Sequence, residues 1–133
     1  MTKKFTFLLM ALLALTSFRS WGQETILSES FNGSSLPSGW TTAGLGTSNW
    51  SISTYNYAGG SPNELQLNWT PQFDGIARFV SPAVDLADFE SVTFSFKHYL
   101  NNYSGSQVLG VATSSDNGTT WNIGRNATVA ASL

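Results

Sequence analysis

Apolar and polar residues alternate one by one through long stretches of the chain, and Gly, Pro, Asn and Ser break the alternation at short intervals. A β-strand sends successive side chains to opposite faces, so this period of two predicts strands; no stretch of helical period of useful length occurs. Residues 26–31 read as a first strand, closed by the turn formers Asn32-Gly33 and Pro37-Ser38-Gly39. Residues 50–55 alternate large apolar side chains with Ser and Thr. Residues 64–69 set Leu65, Leu67 and Trp69 on one face against Glu64, Gln66 and Asn68 on the other. Residues 76–80 form a short strand that Ser81-Pro82 stops. The clearest pattern spans 92–100, where Val92, Phe94, Phe96, His98 and Leu100 make a core face and Thr93, Ser95, Lys97 and Tyr99 a wet one. Residues 107–113 are apolar on both parities, which predicts a central strand covered on both sides, and Trp121 begins another strand. Six or more short strands separated by turns predict an all-β fold, an antiparallel β-sandwich of jelly-roll type. From Trp121 to Leu133 there is room for at most one more strand, which predicts that the domain is incomplete on its C-terminal side.

Before these strands the pattern changes. Lys3 and Lys4 precede an uncharged apolar run over 5–15, which has the make-up of a signal peptide and is shorter than the roughly 20 residues of a membrane span. Ser20 and Gly22 stand at the −3 and −1 positions of a cut before Gln23. The chain therefore divides into a signal peptide, 1–22, and a β-sandwich domain, 23–133, and is expected to be secreted or held at the cell surface without membrane insertion after cleavage. Cleavage removes Lys3, Lys4 and Arg19, leaving Arg78, Lys97 and Arg125 against eight acids, so the net charge moves from −2 to near −5. Three scattered cations cannot make the basic patch that nucleic acid requires. With no cysteine, no disulfide is available, and the fold has to be held by its core or by an ion. Aromatic residues make up 14% of the chain, which disfavours disorder.

Several spaced motifs carry a resemblance. They are Glu29-Ser30-Phe31-Asn32-Gly33, Leu36-Pro37-Ser38-Gly39-Trp40, Asn49-Trp50, the run Phe79-Val80-Ser81-Pro82-Ala83-Val84-Asp85-Leu86, Val92-Thr93-Phe94-Ser95-Phe96-Lys97-His98, and residues 114–121. In this order the chain resembles the choice-of-anchor J and cleaved-adhesin domains, relatives of the MAM jelly rolls found in exported and surface proteins of Gram-negative bacteria. The resemblance covers residues 25–122. It implies adhesion to glycans or proteins, in chains that often carry a separate catalytic domain. It also implies a structural Ca2+ near the first strand, with Glu29 and Asn32 as ligands joined by Asp85; ordinary polar contacts in loops are the alternative account of those residues. Within 114–121, Ser114, Asp116, Gly118, Thr120 and Trp121 match the Asp-box pattern Ser-x-Asp-x-Gly-x-Thr-Trp. Asp116 can accept bonds from the amides of its own turn, Gly118 permits a left-handed residue and Trp121 can cover the hairpin, so the motif is read as structural.

Catalytic hardware is sparse. His98 is the only histidine, and without cysteine neither a His-based zinc site nor a Cys–His pair can be assembled. No Gly-x-Ser-x-Gly elbow surrounds a serine. His98 reads as a packed, hydrogen-bonded ring of the core face, and Asp85, Asp88 and Glu90 as solvated loop acids rather than a glycosidase pair. For binding, Tyr55, Tyr57 and Tyr103, beside Gly and Asn, are the candidate exposed rings. Trp50 and Trp69 are candidates at strand positions where burial is the default, and Asn49, Asn56, Asn63, Gln66 and Asn68 supply amides nearby. The six Asn-x-Ser/Thr sequons, at Asn32, Asn49, Asn68, Asn102, Asn117 and Asn126, read as a consequence of composition. The expectation is a non-enzymatic, exported binding module for glycans or extracellular proteins. The alternatives are an accessory domain of a secreted peptidase or glycosidase whose catalytic part lies elsewhere, and a structural spacer.

Overall fold

The computed structural model describes residues 24–101 and 105–130, the last six of these through the backbone alone. The signal-peptide reading and Tyr103 fall outside the described residues. Regular structure is almost all strand: β1 (Thr41–Gly44), β2 (Trp50–Ser53), β3 (Glu64–Leu67), β4 (Ala77–Val80), β5 (Ser106–Thr113) and β6 (Asn122–Ala130), with one 3-10 turn at Thr47–Asn49. They pair into three small antiparallel sheets, β1 with β4, β2 with β3 and β5 with β6. Among the described residues no helix is long and apolar enough to cross a membrane.

Strands β2 to β5 lie where the apolar pattern placed them, each within two residues, and β6 starts one residue after Trp121. Three expectations are corrected. Residues 26–31 and 92–100 form no ladder, because alternation prepares a segment for a sheet but a neighbour must supply the hydrogen bonds. The intended core face of 92–100 stays exposed at Phe94 and Phe96, although the spacing of its rings, 5.5 Å from Phe94 to Phe96 and 5.7 Å from Phe96 to His98, keeps all three together as the parity required. Strand β5 is not covered on both sides; it pairs with β6 alone, and Val108 is exposed.

Strand β1 has no apolar alternation to announce it and exists through its partner, with Thr41 opposite Val80 and Gly44 opposite Ala77. Its end is set by Gly44, whose φ of 83° takes the chain out of the strand so that Leu45 N–H reaches the Ile76 carbonyl at 2.9 Å. A Cβ at Gly44 would stand 2.1 Å from that carbonyl oxygen, so no other residue fits.

No apolar side chain is fully buried among the described residues; the most enclosed are Asn49, 2% exposed, and Ser53, 6% exposed. Aromatic rings supply the packing instead. Phe79 of β4 stacks on Trp40 at 5.2 Å and meets Phe31 at 5.8 Å and Trp50 at 5.3 Å, while Phe31 meets Trp40 edge-on at 5.3 Å. This half-buried cluster joins the β1–β4 sheet to the first residue of β2, and the Trp50 indole N–H, shielded within it, meets no acceptor. Asn49 makes the second joint. Its side-chain N–H groups donate to the carbonyls of Asn68 at 2.9 Å and Pro71 at 2.8 Å, and its own carbonyl accepts from Asn68 N–H at 2.9 Å.

Candidate functional site

The loop between β2 and β3 is pinned along its own backbone. Ser53 Oγ accepts from Tyr55 N–H at 3.1 Å, Glu64 Oε2 accepts from Ala58 N–H at 3.0 Å, and Asn56 donates through Nδ2 to the Gly60 carbonyl at 2.8 Å. Between these fixed points Tyr55 and Tyr57, two residues apart, stack with ring centroids 4.9 Å apart and planes inclined by 28°. Tyr99 extends the row from another part of the chain, 5.2 Å from Tyr57 at 32°. All three remain in solvent, at 56%, 58% and 55% exposure, and their hydroxyls meet no partner among the described residues. Two of the three candidate loop tyrosines are thus brought together, and Tyr99 is added to them. The alternation had put Tyr99 on the wet face of 92–100; a large aromatic ring on a wet face was the signal that it belonged to a surface site.

The other aromatic candidates divide. Trp50 is committed to Phe79, as its strand position implied, whereas Trp69 is 75% exposed and has no ring partner among the described residues. The amides expected to read a ligand are mostly spent on the chain itself. Asn49 is buried, Asn56 holds Gly60, Asn63 donates to the Gly33 carbonyl at 2.8 Å, and Asn68 donates to Ser51 Oγ at 3.2 Å. Several sequon asparagines therefore have structural work beyond composition, and Asn117 holds a left-handed φ of 54°.

The Asp-box closes the β5–β6 hairpin as its residues predicted. Asp116 Oδ1 accepts from Thr120 N–H and from Ser114 Oγ–H, both at 2.8 Å, and Oδ2 accepts from Thr120 Oγ–H at 2.6 Å. Ser114 Oγ in turn accepts from Gly118 N–H at 2.8 Å, and Trp121 closes the turn by donating from Nε1 to the Gly118 carbonyl at 3.0 Å. The hydrogen bonds from the Thr120 hydroxyl, then its amide, then the Ser114 hydroxyl stabilise the ionised carboxyl and lower its pKa from 3.8 to about 2. Arg78 of β4 lies over the Trp121 ring, 5.1 Å from the centroid.

Around the first motif, Glu29 Oε1 accepts from Phe31 N–H at 2.8 Å, and Phe31 holds a φ of 55°. The Asn32 side chain faces two carbonyls, those of Ser30 at 3.0 Å and Ser61 at 3.2 Å. With the amide nitrogen turned toward them, Asn32 donates to both. With its oxygen turned inward, three oxygens converge, a grouping that a hard cation would satisfy. Asn32 and the two backbone carbonyls offer those oxygens; Glu29 is engaged with Phe31 N–H, and no contact joins it to Asn32 among the described residues. Asp85 is engaged elsewhere, accepting from Ala87 N–H at 3.0 Å, and no contact joins it to Asn32 among the described residues. No three His, Cys, Asp or Glu side chains gather there or elsewhere among the described residues.

His98 is a correction: it is exposed, with Phe96 as its ring neighbour and no hydrogen bond among the described residues. Asp85, Asp88 and Glu90 are exposed, as read from the sequence. Comparison with models of known families, with curated proteins and with solved structures found no match.

Proposed function

We propose that this chain is an exported, non-catalytic binding module that mediates adhesion to glycans or proteins at the cell surface, with Tyr55, Tyr57 and Tyr99 as its contact surface. The observation that carries the reading is the row itself: three phenol rings in series, Tyr55 on Tyr57 and Tyr57 on Tyr99, each more than half exposed, with the first two on a loop whose backbone is held by its own hydrogen bonds. A contiguous exposed aromatic patch rimmed by polar residues is a mark of an interaction site. The leader-like N-terminus and the adhesin-like motifs support export and a jelly-roll frame into which the small antiparallel sheets would fit. A calcium ion at Asn32 and the Ser30 and Ser61 carbonyls would tie the first motif to the far side of the tyrosine loop. The Asp-box serves the hairpin and not the ligand.

The test is binding of the folded full-length chain to arrays of glycans and of extracellular matrix proteins, in calcium and then in chelator. A defined ligand is expected, weakened about tenfold or more by Tyr55→Ala or Tyr57→Ala, a loss of about 1.4 kcal/mol. A response to chelator without loss of the tyrosine dependence would assign the metal a supporting role. Absence of any ligand for a well-folded chain would sink the adhesion reading.

A further inference from the structure

Tyr55, Tyr57 and Tyr99 combine two chemistries in one place. An aromatic face carries partial negative charge and attracts the weakly positive C–H groups on one face of a pyranose ring. The phenol hydroxyls, unspent among the described residues, both donate and accept hydrogen bonds, as sugar hydroxyls do. Rings already in contact lose little conformational freedom when a ligand arrives.

The charges around the row narrow the ligand. The Glu64 carboxylate lies at the Ala58 amide, beside Tyr57, and Lys97 stands two residues before Tyr99 in the sequence, so the chain next to the row carries one acid and one cation and no run of either. Arg78 is occupied over Trp121. Acidic polysaccharides and nucleic acids are held by clustered cations or by bidentate arginine. Among the described residues the row has neither. A protein partner calls for an apolar pocket at the centre of a broad surface, whereas the loop residues flanking Tyr55 and Tyr57 are Thr54, Asn56, Ala58, Gly59 and Gly60. We infer that the tyrosine row takes a neutral pyranoside chain, with Tyr99 as a contact residue alongside Tyr55 and Tyr57. This rests on the reading of the chain as a binding module.

The experiment titrates the full-length chain with cellohexaose, xylohexaose and mannohexaose as neutral probes, and with polygalacturonate and heparin as anionic ones, at low and high salt. At least one neutral probe is expected to bind with a Kd of about 0.1–1 mM. Its affinity should be indifferent to salt and should fall about tenfold in Tyr99→Ala and in Tyr57→Ala, with unchanged circular dichroism. Tyr99→Phe, which keeps the ring, should lose less than Tyr99→Ala. Binding of only the anionic probes, weakening with salt, would overturn the neutral class and leave the binding module standing. A matrix-protein ligand that needs the same tyrosines, with no sugar binding, would do the same. Failure of every sugar and every protein would overturn both readings together.

Discussion

Asp116 owes its low pKa to three donors that only the folded turn assembles: the Thr120 hydroxyl, the Thr120 amide and the Ser114 hydroxyl. A carboxyl whose pKa falls from 3.8 to about 2 on folding is held ionised by those bonds, so its stabilising contribution is complete above pH 3.8 and disappears as pH drops through about 2. In Asp116→Asn the charge is absent at every pH. The melting temperature of this variant should therefore lie below that of the parent at pH 6, and the gap should close between about pH 4 and 2. A gap that stays constant down to pH 2 would show that the ionised carboxylate is not what holds the turn. The neighbouring residues are fitted to the same end: Gly118 has a φ of 84°, and a Cβ there would approach Trp121 to 3.3 Å.

At the scale of the element, Asn49 decides more than its sequence setting announces. It ends the 3-10 turn, opens onto β2 and gives both amide hydrogens to carbonyls beyond β3, at 2% exposure. Asn49→Ala strips the Asn68 and Pro71 carbonyls of a donor where water has little access, a cost of about 2 kcal/mol. The expected result is a lower urea midpoint with an unchanged m-value, because the unfolded chain exposes the same surface. Asn49→Asp, which cannot donate, should be no better. In the sequence this asparagine looked like part of a sequon and of a ligand-reading set, since nothing local records that its partners lie 19 and 22 residues away. The same limit explains the strands. The apolar pattern, alternating in β2 and β3 and continuous in β5, located β2, β3, β4 and β5, because each carries its own apolar side chains. It missed β1, whose Thr and Gly residues are drafted by β4, and it overstated 26–31 and 92–100, whose pattern is right but whose backbone finds no ladder. Tyr99 escaped for a related reason: its parity was legible, while its approach to Tyr57 was not.

The whole molecule is joined by side chains that bridge small sheets. Phe79 and Trp50 link β1–β4 to β2–β3, and Tyr57 and Tyr99 link the β2–β3 loop to 92–100. Phe94, Ser95, Phe96 and His98 line a mainly apolar trough of about 530 Å³ together with Leu109 and Val111 of β5. Arg78 over Trp121 returns from the β5–β6 hairpin to β4, completing a ring of contacts. A lone two-stranded sheet is marginal in water, so each pair depends on its joints. A cation over a half-buried indole near the surface contributes about 0.5–1 kcal/mol, and removing it should loosen the hairpin by that amount. Arg78→Leu keeps an aliphatic stem and deletes the charge. Amide exchange in β5 and β6 should then quicken about two- to fivefold, while β2 and β3 keep their protection through Phe79 and Asn49. Equal acceleration in all three sheets would mean that they open as one unit and that the joints do not act separately. Acceleration confined to the hairpin would place its docking on Arg78 and leave the tyrosine row mounted on the more persistent part of the molecule, where a surface used for recognition has to stay in shape.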